Sequence, residues 1–210
     1  DGGNAFLPEL TQFVRELVPF SALGALSLAL LKFTSPGVPD VYQGCELIEH
    51  SLVDPDNRRP VDYAARASML QALQSLQADA RQDHLPHAVR ELADAAPDGR
   101  AKLWITWRLL TLRQRLPDLF LHGSYEPLQV RGQRAPHVLA YLRRRRQHLV
   151  IVIVVRLFAA LAREVRGSSG APNGAAPPAW ARGDGVAATA RNPESVTAAI
   201  GAHDDLYVLP

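Results

Sequence analysis

The sequence has little cysteine and little net charge. Cys45 is the one cysteine among 210 residues, which excludes a disulfide within the chain and fits a reducing compartment. We therefore expect a cytoplasmic location. The 23 Lys and Arg residues oppose 21 Asp and Glu residues, leaving a formal charge of +2. So small an excess gives little net attraction for nucleic acid or anionic lipid, and we predict neither as a partner.

Long hydrophobic runs are also lacking. The most apolar stretches, Leu23–Phe33 and Leu149–Val155, are shorter than the ~20 residues that a membrane-spanning helix needs, so we predict no membrane anchor. The first residues lack the basic start and small-residue cleavage site of a secretory signal. Because the chain does not begin with Met, we expect it to be a piece of something longer. Its 47% hydrophobic and 21% charged residues predict a globular fold with a core.

The first part of the sequence has the pattern of an α/β protein. Apolar residues recur at helical spacing from Phe6 to Phe33, and Pro19 predicts a break or bend within this helical region. Val38–Tyr42 is short, β-branched and aromatic, and lies between Gly37 and Gly44. This pattern predicts one buried strand. A helix followed by a buried strand is typical of a parallel α/β sheet.

A loop and two helices are predicted next. Asp54–Pro60 contains two prolines, two aspartates and an asparagine, which favour turns. Asp62 is placed to cap a helix from about Tyr63 to Ala80. A second helix, Lys102–Leu116, is predicted to end at Pro117. Its apolar surface is predicted to contain Leu103, Trp104, Trp107, Leu109, Leu110 and Leu112.

The pattern changes to β beyond Gly123. Tyr125–Val130, Val138–Arg143 and Leu149–Val155 are short apolar runs separated by polar residues, which predicts three strands. Residues 167–185 are dominated by Gly, Ser, Ala and Pro, and this composition predicts a flexible segment. The sequence thus predicts three regions, 1–122, 123–166 and 167–210, of which the second is β-rich and the third a flexible tail rich in Gly, Ala and Pro.

Two neighbouring motifs carry a family resemblance. Gly37–Gly44 (GVPDVYQG), followed by Glu46, is similar to the eighth barrel strand of the alpha-amylase superfamily. Ser51–Tyr63 (SLVDPDNRRPVDY) resembles the loop after that strand in maltooligosyltrehalose synthases. The resemblance covers most of residues 5–157 and fades after Leu157. It implies an α+β fragment: the carboxyl-terminal end of a (β/α)8 barrel, with its last strand and flanking helices, followed by a small β-sandwich domain.

The resemblance also implies a reaction on maltooligosaccharides. The family rearranges the reducing-end α-1,4 linkage to an α,α-1,1 linkage, by intramolecular transglucosylation, in trehalose biosynthesis. This double displacement is run by carboxylates, so no cofactor or metal is expected. By resemblance those carboxylates lie upstream of residue 1. We therefore assign no catalytic residue in this chain and expect it to be inactive alone, with the amino-terminal barrel portion as a partner.

The substrate-binding candidates lie in and before the loop. Carboxylates, amides and guanidinium groups together suit vicinal sugar hydroxyls. We expect the strand to point its carboxyl-terminal side chains toward the same side as the loop, where barrel sites are built. An equally good reading is that Asp56 pairs with Arg58 or Arg59 and only rigidifies the loop. The seven candidates are Gln43, Glu46, Asp54, Asp56, Asn57, Arg58 and Arg59.

The sequence departs from the family pattern at two places, and other features and functions are to be weighed beside the resemblance. Cys45 and Ile48-Glu49 stand where the family has a small polar residue and Trp-Asp. Arg143–Arg146 is a basic run at a predicted hairpin turn, where solvated charges are expected. His84 and His87 are predicted to face solvent, and Trp104 and Trp107 to lie in a helix core. The chain is alternatively a non-catalytic carbohydrate-binding or structural fragment, or a subunit of a split alpha-amylase-family enzyme.

Overall fold

The structure is a computed structural model that describes residues 4–79, 85–169 and 187–189. The chain divides into two compact units. The helical unit contains the described residues up to Phe33 and Pro39–Leu112, and the mixed unit contains Thr34–Val38 and the described residues from Arg113 onward. The fold is thus mixed helix and sheet, as the α+β prediction requires. The predicted boundary between 122 and 123 falls within the mixed unit.

The chain begins with one long helix, α1, over Phe6–Thr34. The helix continues through Pro19, so the predicted break there is wrong. A proline removes one backbone hydrogen bond. The surrounding Leu and Ala residues have high helix propensity, which favours continuation on both sides.

Most of the large apolar side chains in the first half of α1 are exposed. Its buried positions, Ala22, Ala29, Phe33 and Thr34, all belong to the second half. By length and composition α1 is long and apolar enough to cross a membrane, and 22% of its most apolar stretch is buried. Core helices of soluble proteins meet the same criterion of length and composition. The exposed side chains are Phe6, Leu7, Leu10, Phe13, Val14 and Leu17.

The segment after Gly37 is not a strand. Val38–Tyr42 has no regular secondary structure and no ladder partner among the described strands. Val38 is 83% exposed and Tyr42 is 42% exposed, so the predicted buried strand is wrong. The physical reason is that a strand depends on its neighbours for backbone hydrogen bonds. All described strands belong to the mixed unit and pair with one another.

The rest of the helical unit follows the predicted pattern more closely. The 51–62 loop contains one 3-10 turn, Asp56–Arg58. The helix α2 spans Tyr63–Asp79, and the predicted cap is confirmed because the Ala65 amide donates to Asp62 Oδ1 at 2.8 Å. The helices α3 and α4 span Leu85–Asp94 and Arg100–Arg115. The buried apolar face of α4 contains Leu103, Trp104, Ile105, Leu109 and Leu112, whereas Leu110 is exposed.

The mixed unit is built on an antiparallel sheet. After α5 (Pro117–His122), the strands are β1 (Ser124–Pro127), β2 (Gln129–Arg131), β3 (Val138–Arg145), β4 (His148–Val155) and β5 (Ala187–Thr189), with α6 (Phe158–Ser169) before β5. The sheet order is β1-β3-β4, and β2 pairs with β5 separately. The predicted strand Tyr125–Val130 is divided at Leu128, which is buried and donates its amide to Ala140 O at 2.9 Å. The prediction of a flexible 167–185 segment lies outside the described residues, apart from the end of α6.

The basic run at the β3–β4 turn is not solvated throughout. Arg143 is 1% exposed, so the prediction is wrong for this residue. Its guanidinium donates to the backbone carbonyls of Thr34, Leu119, Phe120, Gly123 and Ser124 at 2.9–3.3 Å. Burial lowers the pKa of Arg143. A buried charge is tolerated because carbonyl dipoles at the ends of α1 and α5 converge on it.

Candidate functional site

The first wall of the candidate site is a tight turn over residues 43–46, the Gly44 turn. The Cys45 amide donates to Tyr42 O at 3.0 Å, and Gly44 has a φ of +90°. A Cβ at Gly44 would lie 3.2 Å from Val61 Cγ2. Glycine is therefore required for the left-handed backbone and for the close approach of Val61. The turn is thus packed against the end of the 51–62 loop.

The second wall is the 51–62 loop, which is held by its own charges. The Leu52 amide donates to Asp56 Oδ2 at 2.7 Å. Arg59 pairs with the other oxygen of Asp56, and Arg58 donates to Asp54 Oδ2 at 2.8 Å. The pair of Arg59 with Asp56 matches the loop-rigidifying alternative, whereas Arg58 pairs with Asp54 instead. Both pairs are largely exposed, so solvent screens these ion pairs and each adds little to stability.

A shallow cleft lies between these two walls. It encloses about 390 Å³, part of which is open solvent. Four of the seven candidates line it, namely Gln43, Asp56, Asn57 and Arg59, while Glu46, Asp54 and Arg58 do not. The other lining residues are Tyr42, Cys45, Glu49, Ser51, Pro60, Val61 and Arg66.

Backbone hydrogen bonds keep the carboxylates at the cleft ionised. The Leu52 amide, and then Arg59, hold the pKa of Asp56 below its usual value. The Ser51 amide, which donates to Glu49 Oε1 at 2.8 Å, lowers the pKa of Glu49 in the same way. Both groups therefore remain hydrogen-bond acceptors at neutral pH.

One polar atom of the cleft lacks a partner. Asn57 Oδ1 is buried and accepts no hydrogen bond within the described part of the chain. A buried acceptor without a partner is costly, and a donor from a bound molecule would relieve that cost. Acceptors on Asp56 and Asn57 beside the donors of Arg59 are a suitable set for neighbouring sugar hydroxyls. In the described ranges no three His, Cys, Asp or Glu side chains form a metal-binding group.

Sequence reasoning missed two basic residues that bind the Gly44 turn and the residue that follows it. Arg66, in the first turn of α2, donates to Glu46 Oε2 at 3.2 Å and to Gly44 O at 3.1 Å. Lys102 donates to Leu47 O at 2.8 Å, and burial lowers its pKa. Arg66 is the one cation within α2, which is the sequence signal that could have drawn attention to it. Lys102 and Leu47 are far apart in the sequence, so no local sequence pattern could have indicated their hydrogen bond.

Comparisons with known proteins place this geometry in context. No family model matches the chain. The chain is 42% identical over 148 residues to proteins of Mycobacterium tuberculosis strains CDC 1551 / Oshkosh and ATCC 25618 / H37Rv, which are named as maltooligosyl trehalose synthases. The match covers 70% of this chain and 16% of each relative, so the chain spans under a fifth of their length.

Solved structures give the same result. The maltooligosyltrehalose synthase from Arthrobacter ramosus superposes with a TM-score of 0.60 at 32% identity, over 77% of this chain and 19% of that one. A second crystal structure of a maltooligosyl trehalose synthase gives 0.57 at 28% identity, over 73% and 19%.

The fold and these matches define the class first: the chain is a mixed helix and sheet protein that is similar to a part of proteins named as trehalose synthases. More particularly, it is a homologue of part of the maltooligosyl trehalose synthases, as the resemblance predicted. The small share of each relative that it covers is consistent with a carboxyl-terminal fragment.

Proposed function

We propose that the chain is the carboxyl-terminal part of a maltooligosyltrehalose synthase and supplies one wall of its sugar-binding pocket. The observation that carries the proposal is the 42% identity over 148 residues. The cleft residues Gln43, Asp56, Asn57 and Arg59 agree with it chemically. The parent reaction converts the reducing-end α-1,4 linkage of a maltooligosaccharide to an α,α-1,1 linkage, in the cytoplasm.

The chain alone is proposed to be inactive. Retaining transfer between glycosidic linkages needs a carboxylate nucleophile and a carboxylic acid roughly 5–5.5 Å apart. The carboxylates of this cleft are already committed, because Asp56 accepts from Leu52 and Arg59, and Glu49 accepts from Ser51. The catalytic pair therefore belongs to the remainder of the parent protein, which is the proposed partner.

The exposed face of α1 supports such a partner. Phe6, Leu10, Phe13 and Leu17 recur at helical spacing, and each is more than 40% exposed. A contiguous apolar face of this kind is typical of a protein interface. Adding the remainder of a relative as a separate chain should protect α1 from proteolysis if this face docks onto it.

The two arginines of the loop are proposed to differ. Arg58 pairs with Asp54 outside the cleft, whereas Arg59 lines the cleft and pairs with Asp56. A guanidinium has five N–H donors, and its pairing with one carboxylate oxygen occupies only part of them. Arg59 is therefore the arginine expected to orient sugar, and Arg58 the one that braces the loop.

A hybrid synthase tests this assignment. In it, this chain replaces the matching segment of the Mycobacterium tuberculosis relative, and conversion of maltopentaose to trehalosyl product is measured. Arg59→Lys keeps the charge but loses the planar fork, so kcat/KM should fall about ten- to a hundredfold, corresponding to a charge-assisted bond of about 1.5–3 kcal/mol.

Arg58→Lys is the matched control, and it should leave kcat/KM within about threefold, a difference under ~1 kcal/mol. Equal activity of the two variants would remove Arg59 from the sugar site. Turnover by the isolated chain that is lost on changing one of its own carboxylates would overturn its proposed inactivity.

A further inference from the structure

Arg66 makes polar contacts with both walls of the cleft. Its Nε donates to Glu46 Oε2 at 3.2 Å and its Nη2 to Gly44 O at 3.1 Å, both in the Gly44 turn. Its Nη1 donates to Asp62 O at 3.1 Å, at the end of the 51–62 loop. The Arg66 side chain is only 18% exposed and that of Glu46 only 25%, so water competes weakly for the two bonds to the Gly44 turn, whereas the bond to Asp62 O is exposed.

Two of the three acceptors, the carbonyls of Gly44 and Asp62, belong to backbone positions that are themselves constrained. Gly44 has a left-handed backbone and approaches Val61 closely. Asp62 caps α2 through the Ala65 amide, so its position is tied to a rigid helix. Arg66 belongs to the same first turn of α2 and therefore holds the Gly44 turn at a fixed distance from the loop.

We propose that Arg66 is a positioning residue of the sugar-binding cleft, and that it sets the separation of the two walls by holding Glu46, Gly44 O and Asp62 O together. The predicted effect of Arg66 on turnover rests on the proposed function. The predicted effect of Arg66 on the separation of the walls depends on this chain alone.

Lysine cannot replace this arginine. A guanidinium presents its donors in a rigid fork, whereas an ammonium is a point donor on a flexible stem. Arg66→Lys keeps the charge beside Glu46 but cannot span three acceptors in two segments. A wall displaced by about 1 Å is enough to lower turnover on the order of a hundredfold.

The first experiment measures turnover of maltopentaose by the hybrid synthase. Arg66→Lys should lower kcat at least tenfold while the thermal midpoint of the hybrid stays within about 2 °C. Arg90→Lys, at an exposed position of α3, is the matched control and should leave kcat unchanged. Glu46→Gln should lower kcat too, and the double variant should lose no more than the larger single loss if the two residues act as one unit. An unchanged kcat for Arg66→Lys, or additive losses, would overturn the inference.

The second experiment uses this chain alone and needs no activity. Hydrogen exchange of the backbone amides of residues 51–57 should be at least tenfold faster in Arg66→Lys than in Arg90→Lys. Glu46→Gln, which preserves side-chain shape, should accelerate the same amides if Arg66→Lys does not fold. If exchange is faster in Arg66→Lys but the hybrid synthase without substitutions forms no product, the proposed function is refuted and the positioning role is not. Unchanged exchange in both variants would refute the positioning role, whatever the hybrid does.

Discussion

Arg143 should be the most sensitive polar position of the mixed unit. It is buried, and its guanidinium reaches five backbone carbonyls from three parts of the chain. Thr34, one of these five, also makes a 2.5 Å hydrogen bond between its hydroxyl and that of the buried Tyr141. Thr34, which belongs to the same unit, is thus held by two neighbouring positions of one face of β3.

The expected loss of unfolding free energy follows from the number of hydrogen-bond donors on the side chain at position 143. Arg143→Lys leaves three N–H donors where the guanidinium has five, so at least two carbonyls lose their charged donor. Each charge-assisted bond contributes about 1.5–3 kcal/mol, and the low end applies because Leu119 O also accepts the Gly123 amide. We expect Arg143→Lys to lower the free energy of unfolding by about 3 kcal/mol. Arg143→Met removes all five bonds and should cost more than ~4 kcal/mol, a large share of typical domain stability.

Urea denaturation of this chain, followed by far-UV circular dichroism, measures the loss. With a typical slope of about 1–3 kcal/mol per molar urea, the Arg143→Lys midpoint should fall by roughly 1–3 M. The control is Arg163→Lys, whose exposed side chain makes one hydrogen bond within α6, and which should shift stability by less than ~0.5 kcal/mol. An Arg143→Lys loss no larger than that of the control would refute the reasoning.

Three further predictions concern single positions. Asp62→Ala removes the α2 cap and should cost about 1 kcal/mol in urea denaturation. Gly44→Ala should lower the thermal midpoint more than Gly37→Ala, because both glycines have positive φ but only Gly44 has a neighbour in the path of a Cβ. Hydrogen bonding from Arg145 lowers the pKa of Asp118. The ionised Asp118 carboxylate should stabilise the fold fully above pH ~4, and this stabilisation should be lost as the pH falls through the lowered pKa of Asp118 in the folded state. Asp118→Asn should therefore flatten that part of a profile of unfolding free energy measured from pH 2 to 6.

Features encoded by neighbouring residues could be predicted from the sequence. Asp62 caps α2 because its carboxylate reaches an amide three residues away, so composition and spacing were sufficient. The loop at residues 54–60 was predictable for the same reason. Pairing of Arg59 with Asp56 was one of the two roles that the sequence left open for these residues, the other being contact with sugar.

Features that depend on distant partners could not be predicted. Val38–Tyr42 has the composition of a strand, but no described strand supplies the ladder that would make it one. Arg143 and Thr34 are 109 residues apart, and Arg66 and Glu46 are 20 apart. Neither separation leaves a periodic signal, so a buried arginine and a surface arginine look alike in the sequence.

The most direct test of the central claim is the activity of the hybrid synthase before any substitution. Trehalosyl product formed from maltopentaose should appear at a rate within about tenfold of the parent relative, a difference of about 1.4 kcal/mol in the barrier. The isolated chain at the same concentration should form none. A hybrid that unfolds at the same temperature as the parent relative but forms no trehalosyl product would contradict the claim that this chain supplies a working pocket wall.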